Sequence, residues 1–132
     1  RDRGGERNGS IVQPTILSNV DPRSSIAQQE LFGPGVAVSV AQDVGEALDL
    51  ANSTDYGLAA GVFTKDNDNA VRAAREIDAG VVHINWTPLW RADLMPYGGL
   101  KASGVGKEGP RAAVAEMTEE KAVILHGRPW DQ

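Results

Sequence analysis

The sequence predicts an α/β protein in which a parallel sheet is flanked by helices. Three short apolar segments, at residues 36–40, 58–63 and 81–84, alternate with two segments that have helical periodicity. Strands that alternate with helices pair in parallel through right-handed crossovers. The middle segment is almost wholly apolar, which is typical of a strand buried on both faces.

The two predicted helices are recognised by their caps and by their apolar stripes. Asp43 is expected to cap the first helix, with Glu46 three positions later able to bond back. Asp66 is expected to cap the second, and Gly80 stands where a C′ glycine belongs. The stripes comprise Val44, Ala47, Leu48 and Ala51 in the first helix and Ala70, Val71, Ala74 and Ile77 in the second.

The remaining segments are less regular. Residues 1–10 are polar and rich in Gly, and they predict a loop or a frayed end. Residues 11–17 suit a strand interrupted at Pro14. Residues 87–107 are long and irregular, as functional loops often are. Pro110 suits the first turn of a last helix over 110–117, and residues 122–125 predict a terminal strand.

Composition excludes several classes of function. The chain has 132 residues, which is enough for one domain, and a formal net charge of −5, which argues against a nucleic-acid surface. It has no Cys, so disulfides, thiolate metal sites and a cysteine nucleophile are excluded within it. No segment suggests a membrane span or a signal peptide, and a cytoplasmic location is expected. Because the chain begins with Arg, we expect a processed product or a piece of something longer.

Three motifs have a plain interpretation that we prefer. Residues 104–109 spell G-x-G-x-x-G, but no strand directly precedes them, so loop glycines are favoured over a phosphate cradle. His83 and His126 lie at the ends of separate predicted strands and lack metal-ligand spacing, so structural roles are favoured. Residues 66–69 alternate Asp and Asn without the turn glycine of a calcium loop, which favours a helix start. No metal site is predicted.

Several segments together resemble the NAD(P)-dependent aldehyde dehydrogenase family, in that family's order and spacing. They are E-L-F-G-P at 30–34, L-A-N at 50–52, D-Y-G-L-A-A-G-V-F-T at 55–64, G-V-V-H-I-N at 80–85, P-Y-G-G-L-K-A-S-G at 96–104 and M-T-E-E-K at 117–121. The resemblance implies the C-terminal segment of that fold. Residues 1–119 would be the C-terminal portion of the catalytic domain, and residues 120–132 an oligomerisation strand and tail.

The resemblance implies two cofactor-binding residues. The carboxylate of Glu30 would accept hydrogen bonds from the nicotinamide ribose hydroxyls, since a carboxylate can accept two at once. Phe32 would pack beside the nicotinamide ring. The cofactor would be NAD or NADP, and residues outside this region would decide between them.

The loop after Asn85 would line the aldehyde entry funnel. Its candidate pocket residues, with Asn85 itself, are Trp86, Trp90, Arg91 and Tyr97. Both Trp side chains can instead pack in a core or an interface. Arg91 can instead pair with Asp93 or Glu108. If Arg91 faces the pocket, it favours an aldehyde that bears a carboxylate, phosphate or phosphonate.

The function implied is oxidation of a small aldehyde to a carboxylic acid through a cysteine thioester. The cysteine would be supplied by an absent upstream part, so no catalytic residue is expected in this chain, and the chain alone should be inactive. The last strand implies a homo-oligomer. The alternative is a non-catalytic remnant or an interaction module with the same fold. A related semialdehyde or acyl-transferring dehydrogenase is a third possibility.

Overall fold

The computed structural model describes residues 5–127, a mixed α/β arrangement of short strands and four helices within that range. The strands are β1 (Arg7–Asn8), β2 (Ile11–Val12), β3 (Thr15–Ser18), β4 (Gly35–Val38), β5 (Tyr56–Gly57), β6 (Ala59–Val62), β7 (Val81–Ile84) and β8 (Leu100–Lys101). The helices are α1 (Ser25–Gln28), α2 (Val44–Asn52), α3 (Asn67–Glu76) and α4 (Pro110–Met117). The fold class predicted from the sequence is confirmed.

Two pairs of strands are parallel. β3 pairs with β4, with Ile16 opposite Val36, and β6 pairs with β7, with Ala59 opposite Val81. Helix α3 connects β6 to β7, as the alternating pattern predicts. The expected single sheet through residues 36–84 is wrong, however, because β4 and β6 lie in separate sheets among the described residues. The partner of β4 is β3, an earlier strand that starts immediately after Pro14.

Two further pairs are antiparallel. β1 and β2 form a hairpin, so the expectation of a loop throughout residues 1–10 is wrong at Arg7–Asn8. Residues 1–4 lie outside the described part of the chain. β5 pairs with β8, which brings the long segment after residue 87 back beside β5.

The predicted helix caps are confirmed. The Asp43 carboxylate accepts from the Glu46 backbone N–H at 2.9 Å, and the Glu46 carboxylate accepts from the Gln42 N–H at 2.6 Å. The back-bond thus reaches Gln42, one residue before the cap. The Asp66 carboxylate accepts from the Asn69 N–H at 3.0 Å. These bonds satisfy N–H groups that have no partner inside a helix.

Gly80 is not a C′ glycine. Helix α3 is capped by Ile77 in an extended conformation, so Gly80 lies beyond the C′ position. The requirement for glycine comes instead from packing, because a Cβ at Gly80 would overlap the carbonyl oxygen of Gly98. The close approach joins the start of β7 to the loop that precedes β8.

Burial is far smaller than the sequence predicts. Among the apolar side chains of residues 5–127, only Leu48 and Ala73 are buried, with 6% and 2% of their surfaces exposed. Phe63 is 73% exposed and Val71 is 50% exposed, so burial of residues 58–63 on both faces is wrong, and Val71 does not belong to the inward face of α3. Burial on both faces of a sheet needs a layer on each side. The described residues provide only part of those layers.

The last predicted strand is absent. Helix α4 spans Pro110–Met117, as predicted, but residues 118–127 are in neither helix nor strand. Val123, Ile124 and Leu125 are 72%, 74% and 90% exposed. A strand requires a neighbour to which its backbone can bond, and the described part of the chain places none there. The end of the predicted tail, residues 128–132, lies outside the described residues. None of the described helices is long and apolar enough to cross a membrane.

Candidate functional site

The loop that follows β7 ends at a short antiparallel bridge between Tyr97 and Glu108. The Tyr97 N–H donates to the Glu108 carbonyl at 3.0 Å, and the Glu108 N–H donates to the Tyr97 carbonyl at 2.6 Å. This pair of bonds fixes where the loop returns and places both side chains beside it. The bridge therefore fixes the end of the loop that carries the candidate pocket residues.

Arg91 lies beside this bridge. Its guanidinium donates to the Glu108 carboxylate at 2.7 Å and lies over the Tyr97 ring, 4.5 Å from the ring centre. Of the two acidic partners considered from the sequence, the structure therefore selects Glu108. The side chains of Arg91 and Glu108 are 44% and 67% exposed, so the pair remains open to solvent.

The two Trp side chains of the loop are also open. Trp86 is 56% exposed and Trp90 is 50% exposed, so neither is a core residue among the described residues. Trp90 packs edge to face on His83 of β7, with 6.1 Å between ring centres. The Nε2 atom of His83 is buried without a hydrogen-bond partner in this part of the chain. The His83–Trp90 contact attaches one side of the loop to the sheet.

Asn85 forms hydrogen bonds with the backbone of β6 and of the residues that follow it. It adopts a left-handed conformation with φ of 57°, which Asn tolerates better than most residues. Its N–H donates to the Val62 carbonyl at 2.6 Å, and its side-chain oxygen accepts from the Thr64 N–H at 2.8 Å. Asn85 therefore joins the ends of β6 and β7 and directs the chain into the loop.

Glu30 and Phe32 face different hollows. Glu30 lines an open cleft of about 440 Å³ that runs between α1, the end of α2 and β5. No described hydrogen bond or ion pair engages its carboxylate. Phe32 is 92% exposed and lines a separate hollow of about 370 Å³ beside β3 and β4. The structure does not bring the two predicted cofactor residues together in one pocket.

Residues that sequence reasoning assigned only to motifs hold the loop in place. Lys101, in a left-handed conformation with φ of 53°, donates to the carbonyls of Asn52 and Thr54 at 3.0 and 3.1 Å. A lysine at a helix C-terminus satisfies free carbonyls and complements the helix dipole. The Ser103 hydroxyl accepts from the Gly57 N–H at 2.9 Å. The Lys and Ser of the P-Y-G-G-L-K-A-S-G segment therefore attach it to the end of α2 and to β5 by hydrogen bonds.

The side chains of Asn52 and Lys107 form further hydrogen bonds with backbone groups of this region. The Asn52 amide donates to the Glu76 carbonyl at 2.6 Å and accepts from the Asp78 N–H at 2.8 Å, which ties α2 to the end of α3. The half-buried Lys107 ammonium donates to the Gly98 carbonyl at 2.6 Å. In the sequence, Asn52 and Lys101 were marked only by their positions in family motifs. Spacing along the chain does not show with which backbone groups they form hydrogen bonds.

The G-x-G-x-x-G segment is an irregular loop, as predicted from the sequence. Gly104, Gly106 and Gly109 have φ of 137°, 75° and 115°, a region that side chains rarely adopt. The Lys107 N–H donates to the Glu116 carboxylate at 2.9 Å. A carboxylate in that position repels a phosphate, so the segment does not form a phosphate cradle.

The chain belongs to the aldehyde dehydrogenase family, whose model matches residues 1–123. It is 47% identical to a 3-sulfolactaldehyde dehydrogenase of Priestia megaterium and 43% identical to a lactaldehyde dehydrogenase of Methanococcus vannielii. Each match covers 93% of this chain and 26% of the relative. The chain thus spans about a quarter of the curated relatives that it matches.

Solved structures show the same fold. Aldehyde dehydrogenase 21 from Physcomitrella patens, in complex with the reaction product succinate, superposes with a TM-score of 0.84 at 39% identity, over 89% of this chain and 24% of that one. An aldehyde dehydrogenase of Mycobacterium tuberculosis with NAD+ gives 0.85 at 34%, over 94% and 26%. GapN of Methanocaldococcus jannaschii with NADP gives 0.80 at 38%, over 87% and 25%.

These matches correct one implication of the motifs. They show the family and the covered share, but they do not support the expected placement at the C-terminal end of the family's catalytic domain.

Proposed function

We propose that the chain is a segment of an NAD(P)-dependent aldehyde dehydrogenase that oxidises a small aldehyde to a carboxylic acid. The observation that carries the proposal is the family match over residues 1–123. Structural neighbours in complex with NAD+ or with NADP support a nicotinamide cofactor without choosing between the two.

Glu30 is the residue of this chain that best suits the cofactor. Its carboxylate is free of described protein partners and lines an open cleft, so both oxygens can accept hydrogen bonds. The two hydroxyls of a ribose match that arrangement. Phe32 would restrict the nicotinamide ring from the neighbouring hollow. When bound, the cofactor would supply the hydride acceptor.

The chain would contribute walls and contacts to the reaction, and no nucleophile. It contains no Cys, so the thiolate that forms the thioester would come from the part of the enzyme outside this chain. The loop between β7 and the Tyr97–Glu108 bridge would form one side of the aldehyde funnel, with Trp86, Trp90, Arg91 and Tyr97 along it. Asn85 would position the start of that loop.

The substrate we propose is a short 2-hydroxyaldehyde that bears an anionic group. The two relatives named above act, by their names, on 3-sulfolactaldehyde and on lactaldehyde, which differ by one sulfonate. Arg91 supports the anionic member, because its guanidinium is half-exposed and already binds a carboxylate, that of Glu108. A planar guanidinium binds sulfonate or carboxylate oxygens in the same way.

The proposal is tested with a chimera. Residues 1–123 of this chain would replace the matched 123-residue segment of the Priestia megaterium enzyme, which supplies the rest of the fold. We expect NAD(P)-linked oxidation of 3-sulfolactaldehyde and of lactaldehyde by this chimera. A soluble chimera that oxidises neither aldehyde, beside an active parent enzyme, would overturn the proposed function.

Replacement of Arg91 in the chimera tests the substrate class. We expect Arg91→Leu to raise the KM for 3-sulfolactaldehyde about tenfold or more and to leave the KM for lactaldehyde within about twofold, because a hydrogen bond to a charged group contributes about 1.5–3 kcal/mol. Steady-state kinetics with both aldehydes measure this. An equal rise in both KM values would contradict the anionic substrate.

A second candidate function is an interaction module without catalysis. The exposed apolar residues Val123, Ile124 and Leu125, together with the absence of Cys, favour it. An apolar segment that lacks a neighbour is suited to pairing with another chain, and a homo-oligomer in a reducing, cytoplasmic compartment belongs to both proposals. An active chimera favours the first candidate. An inactive chimera, with a 132-residue chain that self-associates, favours the second.

A further inference from the structure

We propose that Glu108 is an internal competitor for the anion site at Arg91, and that it sets how strongly the enzyme prefers anionic over neutral aldehydes. This inference rests on the proposed function, and it assigns to Glu108 a role in selectivity. Its basis is the arrangement of Arg91, Tyr97 and Glu108 at the bridge that ends the loop.

Arg91 has a second contact besides its pair with Glu108. The Tyr97 ring lies under the guanidinium, 4.5 Å from its central carbon, and this contact uses no N–H donor. The described hydrogen bonds engage one guanidinium nitrogen, Nη2, with Glu108. The other N–H groups of the guanidinium can take a second acceptor.

Glu108 is held by its backbone while its side chain remains movable. Both hydrogen bonds of the bridge to Tyr97 involve its main chain, at 3.0 and 2.6 Å. Gly109, which follows it, is the N-cap of α4 with φ of 115°. Only side-chain torsions need to change for the carboxylate to leave Arg91. Because the Glu108 backbone is fixed, the carboxylate remains within reach of Arg91 after it has left.

The pair is open enough to exchange. The side chains of Arg91 and Glu108 are 44% and 67% exposed, and ion pairs of that exposure contribute little to stability. A substrate sulfonate or carboxylate presents the same kind of acceptor oxygens as Glu108. An anionic aldehyde would therefore displace the Glu108 carboxylate from Arg91, whereas a neutral aldehyde would leave the pair intact.

The experiment measures selectivity in the chimera defined above. Glu108→Gln removes the negative charge and nearly retains the side-chain shape, so we expect the ratio of kcat/KM for 3-sulfolactaldehyde to that for lactaldehyde to rise about two- to fivefold. Asp93→Asn is the matched control, because Asp93 lies in the same loop without a described bond to Arg91. The control should leave the ratio unchanged.

A double variant tests whether the effect passes through Arg91. In an Arg91→Leu background, Glu108→Gln should no longer change the ratio, since the two residues act as a pair. An unchanged ratio in Glu108→Gln, or an equal rise in Asp93→Asn, overturns the inference. If both aldehydes are still oxidised, that outcome leaves the proposed function intact, whereas a soluble chimera inactive with both contradicts the proposed function itself.

A second measurement does not depend on turnover. The 132-residue chain with ¹⁵N-labelled arginine would be titrated with methanesulfonate, and the Nε–Hε signal of Arg91 followed by NMR. We expect the Glu108→Gln chain to show saturation at a two- to fivefold lower concentration than the unaltered chain. Equal titration curves, or the absence of a distinct Arg91 signal in either chain, overturn the inference.

Discussion

At the scale of single residues, several side chains that the sequence places in or near the candidate site bind other groups of the protein. Asn85 and Lys101 are the clearest cases, because both adopt left-handed conformations and bind backbone groups. Arg91 binds Glu108 and covers Tyr97. Glu30 differs from these residues, since its carboxylate has no described partner and remains available to a ligand.

Glu30 is therefore the residue with the sharpest expected effect on the cofactor. In the chimera, Glu30→Gln should raise the KM for NAD(P)+ about tenfold or more, because hydrogen bonds to a charged acceptor contribute about 1.5–3 kcal/mol each. The KM for the aldehyde should change little. Steady-state kinetics with the cofactor varied measure this.

The neighbouring Gln29, which lines the same cleft, provides the control. Gln29→Ala should leave the KM for the cofactor within about twofold. A Glu30→Gln enzyme with an unaltered cofactor KM would exclude a ribose contact by this residue.

At the scale of elements, caps and close approaches decide where helices and strands begin and end. The first turn of α2 is capped by Asp43, and that of α3 by Asp66, through hydrogen bonds from backbone N–H groups. The junction between β7 and the loop before β8 depends on Gly80, where no side chain fits. The caps and the close approach at Gly80 each depend on one residue, so each can be tested by a single substitution.

The cap of α2 can be tested in a peptide that covers residues 40–54. Asp43→Ala should lower its helix content, because loss of an N-cap costs about 0.5–2 kcal/mol. Circular dichroism in trifluoroethanol measures the content. Asp49→Ala, within the same helix but away from the cap, should leave it unchanged or raise it. Equal losses in the two peptides would contradict the role of Asp43.

Gly80 is tested by adding a single methyl group. In the chimera, Gly80→Ala should lower the midpoint of thermal unfolding and the soluble yield, because an overpacked site costs about 1–3 kcal/mol. The reason is overlap of the new Cβ with the Gly98 carbonyl. Gly33→Ala is the control, since the nearest atom to its Cβ lies at 4.0 Å. Matching midpoints for the two variants would show that β7 and the loop are not in close contact.

At the scale of the whole molecule, the described residues form elements without a substantial core. Only Leu48 and Ala73 among the apolar side chains of residues 5–127 are buried, and the four sheets described have two strands each. Exposed apolar side chains and open sheet edges favour association. This state agrees with a chain that spans about a quarter of its relatives.

Self-association of the 132-residue chain should depend on the exposed segment at residues 122–125. Ile124→Asp places a charge in it, and sedimentation velocity at rising protein concentration should then show a smaller weight-average mass than for the unaltered chain. Asn67→Asp adds the same charge at an exposed helix start and should not change the mass. A monodisperse monomer for the unaltered chain would contradict the predicted homo-oligomer.

The 132-residue chain should also bind the cofactor weakly on its own. Glu30 and Phe32 are the cofactor contacts proposed for it, and the pyrophosphate and adenosine would lack a partner from the described residues. Isothermal titration calorimetry with NAD+ should show no binding at micromolar concentrations. A micromolar dissociation constant would mean that this chain holds more of the cofactor site than we propose.

Local chemistry explains which predictions succeeded. The caps at Asp43 and Asp66, the helix that starts at Pro110, the interruption at Pro14 and the loop glycines at 104–109 follow from hydrogen bonds or torsions within a few residues. The family also follows from the sequence, since its motifs and their order are readable without a structure. These features depend on neighbours along the chain, which a sequence shows directly.

Tertiary structure decided what depends on distant neighbours. The pairing of β4 with β3, the choice of Glu108 by Arg91 and the missing strand at 122–125 each involve groups far apart in sequence or absent from the described chain. Glu30 and Phe32 are close in sequence, but the hollows that they line are formed by different distant elements. A strand or an ion pair forms only where another element brings its partner. Periodicity and composition specify what a segment can pair with, and the arrangement in space selects the partner.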